Sequence, residues 1–217
     1  MAEMVGSCKT ASIMKTTIPL IISAVISTSA FADVTLIQDT LLNGISSRTT
    51  MMVKGDKVRS DNGTATSIIM DTANGDMITL MHEQKMMITN NTKELQALAA
   101  PAKPNDKIKV DETKVTATGK TEKVDGYDCE IYLSENNGMV VKMWLAKNYP
   151  GQEKLREELK VMTKLSAPGT KQPEIPGLAL KTEYEQQGLK FTTRLISISS
   201  DKIDDAKFAI PADYKAP

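Results

Sequence analysis

Residues 68–88 constrain the fold of this chain more than any other segment, because their pattern is that of short strands with apolar residues on both faces. Five of these twenty-one residues are methionine. A strand with one face in water alternates apolar and polar residues, and this segment does not alternate cleanly. Both faces of its sheet should therefore be covered. Methionine fills irregular apolar space, so the segment indicates an adaptable cavity without identifying a ligand.

The first 32 residues have the pattern of a secretory signal peptide. Lys15 precedes an apolar run at residues 18–26, and an A-x-A sequence occupies residues 30–32. The run is far shorter than the ~20 residues that a membrane-spanning helix needs. We therefore expect cleavage after Ala32 and export to the periplasm. Met14 lies directly before Lys15, so the start codon is open between Met1 and Met14.

The mature chain would span residues 33–217, a length that is ordinary for a single domain. The full sequence carries 27 basic and 27 acidic residues, so no charge excess points to nucleic acid or to an anionic membrane surface as a partner. Cys129 is the one cysteine left after cleavage, which excludes an intramolecular disulfide. We expect a monomer with no transmembrane segment and no cofactor.

Alternating residues and turn residues predict ten or eleven strands. They are expected at residues 34–42, 47–54, 57–60, 67–71, 77–81, 85–89, 114–118, 127–133, 139–146, 178–185 and 190–198. The strongest hairpin signal is Asn74-Gly75, because this dipeptide adopts positive φ at little cost. Near the end of the chain, Phe208, Ile210 and Tyr214 are expected to dock the C-terminal segment.

Two segments change to a helical period. The first covers residues 91–100, with Asn91 or Thr92 as its N-cap. The second covers residues 152–165 and has an apolar face. This face consists of Leu155, Leu159, Met162 and Leu165. It either packs permanently on the sheet or serves as a lid that lifts to admit an apolar ligand, since both roles need the same stripe.

Five pieces of the sequence carry a family resemblance. They are MMVKGDKVRSD, SIIMDTANGDMITLMHEQKMMI, GYDCEIY, VVKMWLAKNYPG and FAIPADY, and they lie between Met51 and Tyr214. Their order and spacing resemble those of a bacterial family of domains of unknown function that is similar to the periplasmic lipoprotein carriers LolA and LolB. The resemblance implies an α+β fold, in which a curved antiparallel sheet forms a LolA-like half-barrel of about ten or eleven strands with two helices on its concave face. In the carriers this concavity holds the acyl chains of lipoproteins.

His82 is the only histidine in the chain, and this excludes zinc sites built on two or three histidines. A Ser-His or Cys-His catalytic pair would have to use it as the base. No G-x-S-x-G nucleophile motif is present. We therefore interpret His82 as a turn or strand-end residue without catalytic duty and expect no enzymatic activity.

Methionines near His82 leave Cu(I) binding as a further hypothesis. Thioethers together with one imidazole can bind Cu(I), and methionine pairs occur at residues 51–52 and 86–87, with Met81 beside His82. Adjacent strand residues point to opposite faces, so each pair offers one inward ligand. Core packing is the more common role of strand methionines.

Cys129 and Trp144 are each interpreted as core residues. The residues beside Cys129 are Asp128 and Glu130, whereas a reactive thiol needs a cationic and partly open setting. Trp144 either lines the cavity or caps the core, and the core is the more common place for a lone tryptophan.

Together these features predict an exported, non-enzymatic protein that binds an apolar or lipid-like ligand, such as a lipid or an acylated protein, in a half-barrel cavity. The candidate lining residues are Met52, Ile69, Ile78, Leu80, Met87, Trp144, Leu155, Leu159 and Met162. A one-residue slip at the Asn74-Gly75 hairpin would exchange the strand residues for Met70, Met77 and Met81. The alternative is an envelope interaction or stress-sensor module that uses the same scaffold with a filled core.

Overall fold

The computed structural model describes residues 33–99, 113–136, 138–161 and 174–217. The predicted signal peptide at residues 1–32 lies outside the described residues. Phe31–Pro217 form one compact unit. Within the described ranges, no helix has the length and apolar character that crossing a bilayer requires.

Eleven strands and two α-helices make up the described chain. The strands are β1 Val34–Leu42, β2 Ile45–Lys54, β3 Lys57–Asn62, β4 Thr66–Asp71, β5 Asp76–Met81, β6 Met86–Asn91, β7 Lys114–Val124, β8 Tyr127–Asn136, β9 Met139–Ala146, β10 Leu178–Gln186 and β11 Leu189–Ser199. The helices are α1 Thr92–Ala99 and α2 Gln152–Leu159, and a 3₁₀ helix covers Asp205–Phe208.

All eleven strands belong to one antiparallel sheet in the order β6-β5-β4-β3-β2-β1-β11-β10-β9-β8-β7. The first and last strands pair in the middle of the sheet, which leaves β6 and β7 at its two edges. The sheet is curved and does not close, because these edge strands do not pair with each other. The predicted α+β half-barrel of ten or eleven antiparallel strands with two helices is confirmed.

The Asn74-Gly75 turn joins β4 to β5 and fixes their register. Gly75 has φ of 88°, and a Cβ there would lie 2.9 Å from Oγ1 of Thr92, so glycine is needed for both conformation and space. The turn sets Met70 opposite Met77 in the ladder. Because directly paired residues point to the same side, these two methionines share a face of the sheet.

The main core lies on one face of the sheet, which we call the inner face. Its buried members are Val34, Leu36, Val53, Val58, Val124, Cys129, Ile131, Trp144, Ala146, Leu155, Leu180 and Leu195. A bulge shifts side-chain alternation by one residue. One such bulge places Leu180 as an extra residue between the paired positions Ala179 and Lys181. It brings the face of β9 that carries Trp144 into the same core as Leu36 and Val53.

The C-terminal segment, residues 201–217, packs on the opposite side of the sheet, which we call the outer face. Met52 is next to the inner-face residue Val53 and therefore points outward, where it packs with Ile203 and Phe208. Ile210 remains 39% exposed. Lys215 extends the segment as far as edge strand β6, where its N–H and C=O bond to the backbone of residues 85 and 87.

The two helices differ in how they pack. Asn91 is the N-cap of α1, since its side-chain oxygen accepts hydrogen bonds from the backbone N–H of Lys93 at 3.0 Å and Glu94 at 3.2 Å. Leu95 of α1 is 47% exposed. In α2, Leu155 is buried in the inner-face core and Leu159 packs against it. The predicted continuation of α2 beyond residue 161 lies outside the described residues.

Candidate ligand-binding cavity

A cavity of about 330 Å³ opens beside the inner-face core. It is lined by Asp125, Tyr127, Tyr149, Leu180, Arg194, Leu195 and Ile196. These residues come from the β7–β8 turn, the start of β8, the segment between β9 and α2, and strands β10 and β11. The site is therefore assembled from parts of the chain that are distant in sequence.

Two tyrosines form the aromatic wall of the cavity. Tyr127 is held at the start of β8 by the Asp125-Gly126 turn, in which both residues have positive φ, as two-residue hairpins require. Tyr149 follows β9, and its ring centroid lies 4.9 Å from that of Tyr127 at an angle of 41°. Burial raises the pKa of Tyr149, and the neighbouring Tyr127 adds to this effect. Tyr149 is therefore a neutral hydroxyl near pH 7.

Two bulges shape the floor and the mouth of the cavity. Leu180, the extra residue of β10, is 2% exposed and Leu195 is 7% exposed, so both belong to the core. Ile196 has no partner in the register between β11 and β1, and its side chain is 48% exposed. The cavity thus passes from a buried aliphatic floor to a partly open aliphatic mouth. Bulges commonly re-aim side chains next to binding sites.

One ion pair lies at the cavity. Nη2 of Arg194 is 3.5 Å from Oδ1 of Asp125, and the two side chains are about half exposed. An ion pair of this length and exposure is weak, because water screens both partners. Arg194 can therefore exchange Asp125 for another anion at small cost.

A cluster of cations continues from Arg194 along the sheet. Lys181 pairs directly with Arg194 across β10 and β11. The ammonium of Lys181 lies 4.1 Å from the ring centroid of Trp144, and that of Lys142 lies 4.3 Å from it. The indole N–H of Trp144 donates a 2.8 Å hydrogen bond to Glu122. Trp144 is thus a buried platform that carries two cations near the cavity.

Glu183 partly balances this charge. Its carboxylate lies 2.8 Å from the ammonium of Lys181 and 3.6 Å from that of Lys190. Burial by itself raises the pKa of Glu183, but the hydrogen bond from Lys181 and the nearby lysine charges outweigh burial and lower the pKa overall. Glu183 is therefore ionised near neutral pH.

The nine lining residues predicted from the sequence divide between the two faces. Met52, Ile69, Ile78, Leu80 and Met87 share the outer face, as the register of β2 to β6 shows. Trp144, Leu155 and Leu159 belong to or pack against the inner-face core. Met162 lies outside the described residues. Met70, Met77 and Met81 share the inner side of β4 and β5, opposite to the first set. The structure therefore does not gather the nine residues around one space.

None of the eight that the structure describes lies among the residues that line the cavity, although the cavity borders the core that contains Trp144 and Leu155. Four of the cavity residues lie outside the strands or at bulges, where strand periodicity carries no information; they are Asp125, Tyr149, Leu180 and Ile196. The Asp125-Gly126 dipeptide is a local signal that could have indicated Tyr127, because Asp-Gly is typical of a two-residue hairpin.

His82 is held by hydrogen bonds at both ring nitrogens. Nδ1 is bonded to the hydroxyl of Tyr214, and Nε2 lies 2.8 Å from Oγ of Ser67. Ser67 donates its single proton to Asp61 at 2.5 Å, so Nε2 of His82 must be the donor to Ser67. A base that activates a serine must accept the hydroxyl proton of that serine. His82 instead donates to Ser67, so this hydrogen bond runs in the wrong direction for nucleophilic catalysis.

The same contacts bear on metal binding. A copper ion at His82 would have to displace either Ser67 or Tyr214, because both nitrogens are engaged. Across the described ranges, no group of three or more His, Cys, Asp or Glu side chains is placed to hold a metal ion. Cys129 is fully buried, and burial raises the pKa of its thiol. A thiol in this setting is a poor nucleophile and a poor ligand.

Comparison with known families identifies the chain. The model of a domain of unknown function, DUF4412, matches residues 25–214. The chain belongs to the DUF4412 family. The prediction of a family of domains of unknown function is thereby confirmed. No curated protein matches this DUF4412 sequence.

Several solved structures are similar to this DUF4412 protein. PNGF-II is 13% identical with a TM-score of 0.41, and the match covers 86% of this chain and 31% of that one. The chain therefore spans about a third of the length of PNGF-II. The Mycobacterium tuberculosis lipoprotein LppX is 8% identical with a TM-score of 0.40, covering 78% of this chain and 88% of its own. MucB in complex with MucA(peri) is 12% identical with a TM-score of 0.37, and the match covers 85% of this chain and 56% of that one.

Proposed function

We propose that this DUF4412 protein is an exported, non-enzymatic binding protein that holds an apolar, lipid-like ligand. The observation that carries the proposal is the cavity between Tyr127, Tyr149, Leu180 and Leu195, which opens directly onto the inner-face core. Its lining combines the aliphatic side chains of Leu180, Leu195 and Ile196 with two tyrosine rings and the ion pair of Arg194 and Asp125. This is the usual composition of a small-molecule site.

The size of the cavity limits the ligand. At about 330 Å³ it lies near the lower end of the ~300–1,000 Å³ range of ligand pockets. Such a space suits one apolar chain or a small apolar body. Binding would be driven by burial of apolar surface, on the order of 25 cal/mol per Å² removed from water.

Native mass spectrometry of the exported protein tests this function. We expect a bound lipid-like mass that is released on denaturation, and a rise in the melting temperature when lauric acid is added. Leu195→Phe would place a ring in the floor of the cavity, where the apolar chain is proposed to lie, and should weaken both effects. Leu189→Phe is the matched control, because Leu189 is 40% exposed and does not line the cavity. Absence of ligand and of any thermal shift in the wild-type protein would contradict the proposal.

Export is part of the proposal and has its own test. The intact mass of the protein recovered from the periplasm should correspond to a chain that begins at Asp33. A protein that retains residues 1–32 in the cytoplasmic fraction would refute export.

A second candidate function is an interaction or sensor module with a filled core. The observation in its favour is that several predicted lining residues are almost completely buried by protein, among them Leu80 at 0%, Trp144 at 1% and Leu155 at 3% exposure. For these side chains no ligand is needed to exclude water. A Leu195→Phe protein that is less stable than the wild type, because its filled core is overpacked, would favour this candidate if both proteins are also indifferent to lauric acid.

A further inference from the structure

We infer that the ligand of the cavity is a single-chain amphiphile with an anionic head group, bound by Arg194, Lys181 and Lys142 beside Trp144. This inference rests on the proposed function, because the cavity supplies the site for the apolar chain. The cations supply a second site at its border, which determines what the other end of the ligand carries.

The cations are continuous with the cavity. Arg194 lines it, and Lys181 follows directly after the floor residue Leu180. Lys181 also lies opposite Arg194 in the ladder of β10 and β11, so the two side chains leave neighbouring strands at the same level. Lys142 reaches the same indole ring as Lys181. An apolar chain on Leu180 and Leu195 would therefore place its head group within reach of these cations.

The cations of the cluster outnumber its carboxylates. Glu183 bonds to Lys181 at 2.8 Å and lies near Lys190, and Asp125 faces Arg194 at 3.5 Å. Glu122 accepts the indole N–H of Trp144. Lys142 lies directly opposite Glu183 in the ladder of β9 and β10, and its charge helps to lower the pKa of Glu183. The one carboxylate of Glu183 is therefore shared by three lysines.

A cation that is partly removed from water gains most from a charged partner. Lys142 shares the carboxylate of Glu183 with Lys181 and Lys190, and Arg194 has a long and exposed ion pair with Asp125. Arg194 can also bind carboxylate or phosphate oxygens through two N–H groups at once. The shared chemistry is therefore an anionic oxygen head group, whether carboxylate or phosphate.

Trp144 is the only tryptophan of the chain, and it lies between the cations and the core, so its fluorescence reports on this site. The test is a titration of the purified protein with three ligands that share a lauroyl chain. Monolauroylglycerol is uncharged, lauric acid is a carboxylate, and lauroyl lysophosphatidylglycerol carries a phosphate. We expect at least one anionic ligand to bind about tenfold or more tightly than the uncharged one, the size expected for one charge-assisted hydrogen bond.

The double variant Lys142→Gln/Arg194→Gln should reduce this preference to near unity. The preference is a ratio of affinities measured within one variant, so it is read independently of any change in the affinity for monolauroylglycerol. Lys114→Gln/Lys120→Gln is the matched control, because it removes two exposed charges from edge strand β7. Equal affinities in the wild-type protein, or a preference that survives in the double variant, would overturn the inference and leave the proposed function intact. Binding of none of the three ligands would overturn the proposed function itself.

Discussion

Nε2 of His82 lies 2.8 Å from Oγ of Ser67, and the surrounding contacts make His82 the donor of this hydrogen bond. The pair links β4 to the end of β5, and through Tyr214 it also holds the C-terminal segment on the outer face. Arg59 completes the network by donating to Ser67 at 3.1 Å and to Asp61 at 2.7 Å. The sole histidine of the chain is therefore part of a structural hydrogen-bond network.

Replacing Ser67 by alanine should weaken this hydrogen-bond network and destabilise the protein. Ser67 is 1% exposed, so the change leaves His82, Asp61 and Arg59 each without one buried partner. We expect a loss of about 1–3 kcal/mol in the free energy of unfolding, measured with urea. Ser46→Ala, at an exposed position of β2, should cost little. Equal losses in the two variants would show that the network contributes nothing.

The C-terminal segment should be anchored mainly by one side chain. Phe208 is 8% exposed and packs with Met52 and Ile203, so Phe208→Ala should lower the free energy of unfolding by about 3–5 kcal/mol. Ile210→Ala is the control, because Ile210 is 39% exposed and should change stability by less than about 0.5 kcal/mol. Thermal unfolding of the two variants measures the difference. A larger effect at Ile210 would contradict the packing described for this segment.

The pH dependence of stability should contain a contribution from Glu183. The pKa of Glu183 in the folded protein is lowered from the ordinary value of 4.5. Its ionised form therefore stabilises the fold in full above pH 4.5, and this stabilisation is lost as the pH falls through the pKa of the folded protein. Glu183→Gln should therefore be less stable than the wild-type protein at pH 7, and this gap should narrow on acidification below 4.5. Urea midpoints across the pH range give the comparison. Glu185→Gln, an exposed change on the same strand, should show no such narrowing, and a constant gap for Glu183→Gln would refute the ion pair.

Cys129 should not react in the folded protein. It is fully buried, and burial raises the pKa of its thiol, so little thiolate is present and reagents cannot reach it. In a chain that begins at Asp33, Ellman's reagent at pH 8 should label no thiol until guanidinium unfolds the protein. Rapid labelling under native conditions would indicate that β8 opens locally.

Much of the fold follows from local sequence patterns. The alternation of apolar and polar residues located each strand of the described chain, and Asn74-Gly75 marked a turn that the structure shows. Of the two N-caps expected for α1, Asn91 or Thr92, the structure shows Asn91. The limits of some strands were wrong. The strand that begins at Lys114 was expected to end at 118 but continues to Val124 past a register shift between Ala117 and Thr121. Bulges of this kind interrupt the period on which the prediction depends.

The candidate site could be predicted from the sequence less well than the strands. Alternation correctly placed Met52 and Leu80 on a common face, but it does not specify which face receives α2 and which receives the C-terminal segment. That choice depends on the pairing of β1 with β11, between residues far apart in the chain. The encounter of Tyr127 with Tyr149 depends on the same long-range topology.

The most direct test of the ligand-binding account is the position of a bound ligand. A nuclear Overhauser spectrum of the isotope-labelled protein with unlabelled lauric acid would record which side chains contact the acyl chain. We expect contacts from its methylene groups to the methyl groups of Leu180 and Leu195 and to the rings of Tyr127 and Tyr149. Contacts confined to outer-face residues such as Met87, or no contacts at saturating ligand, would contradict the account.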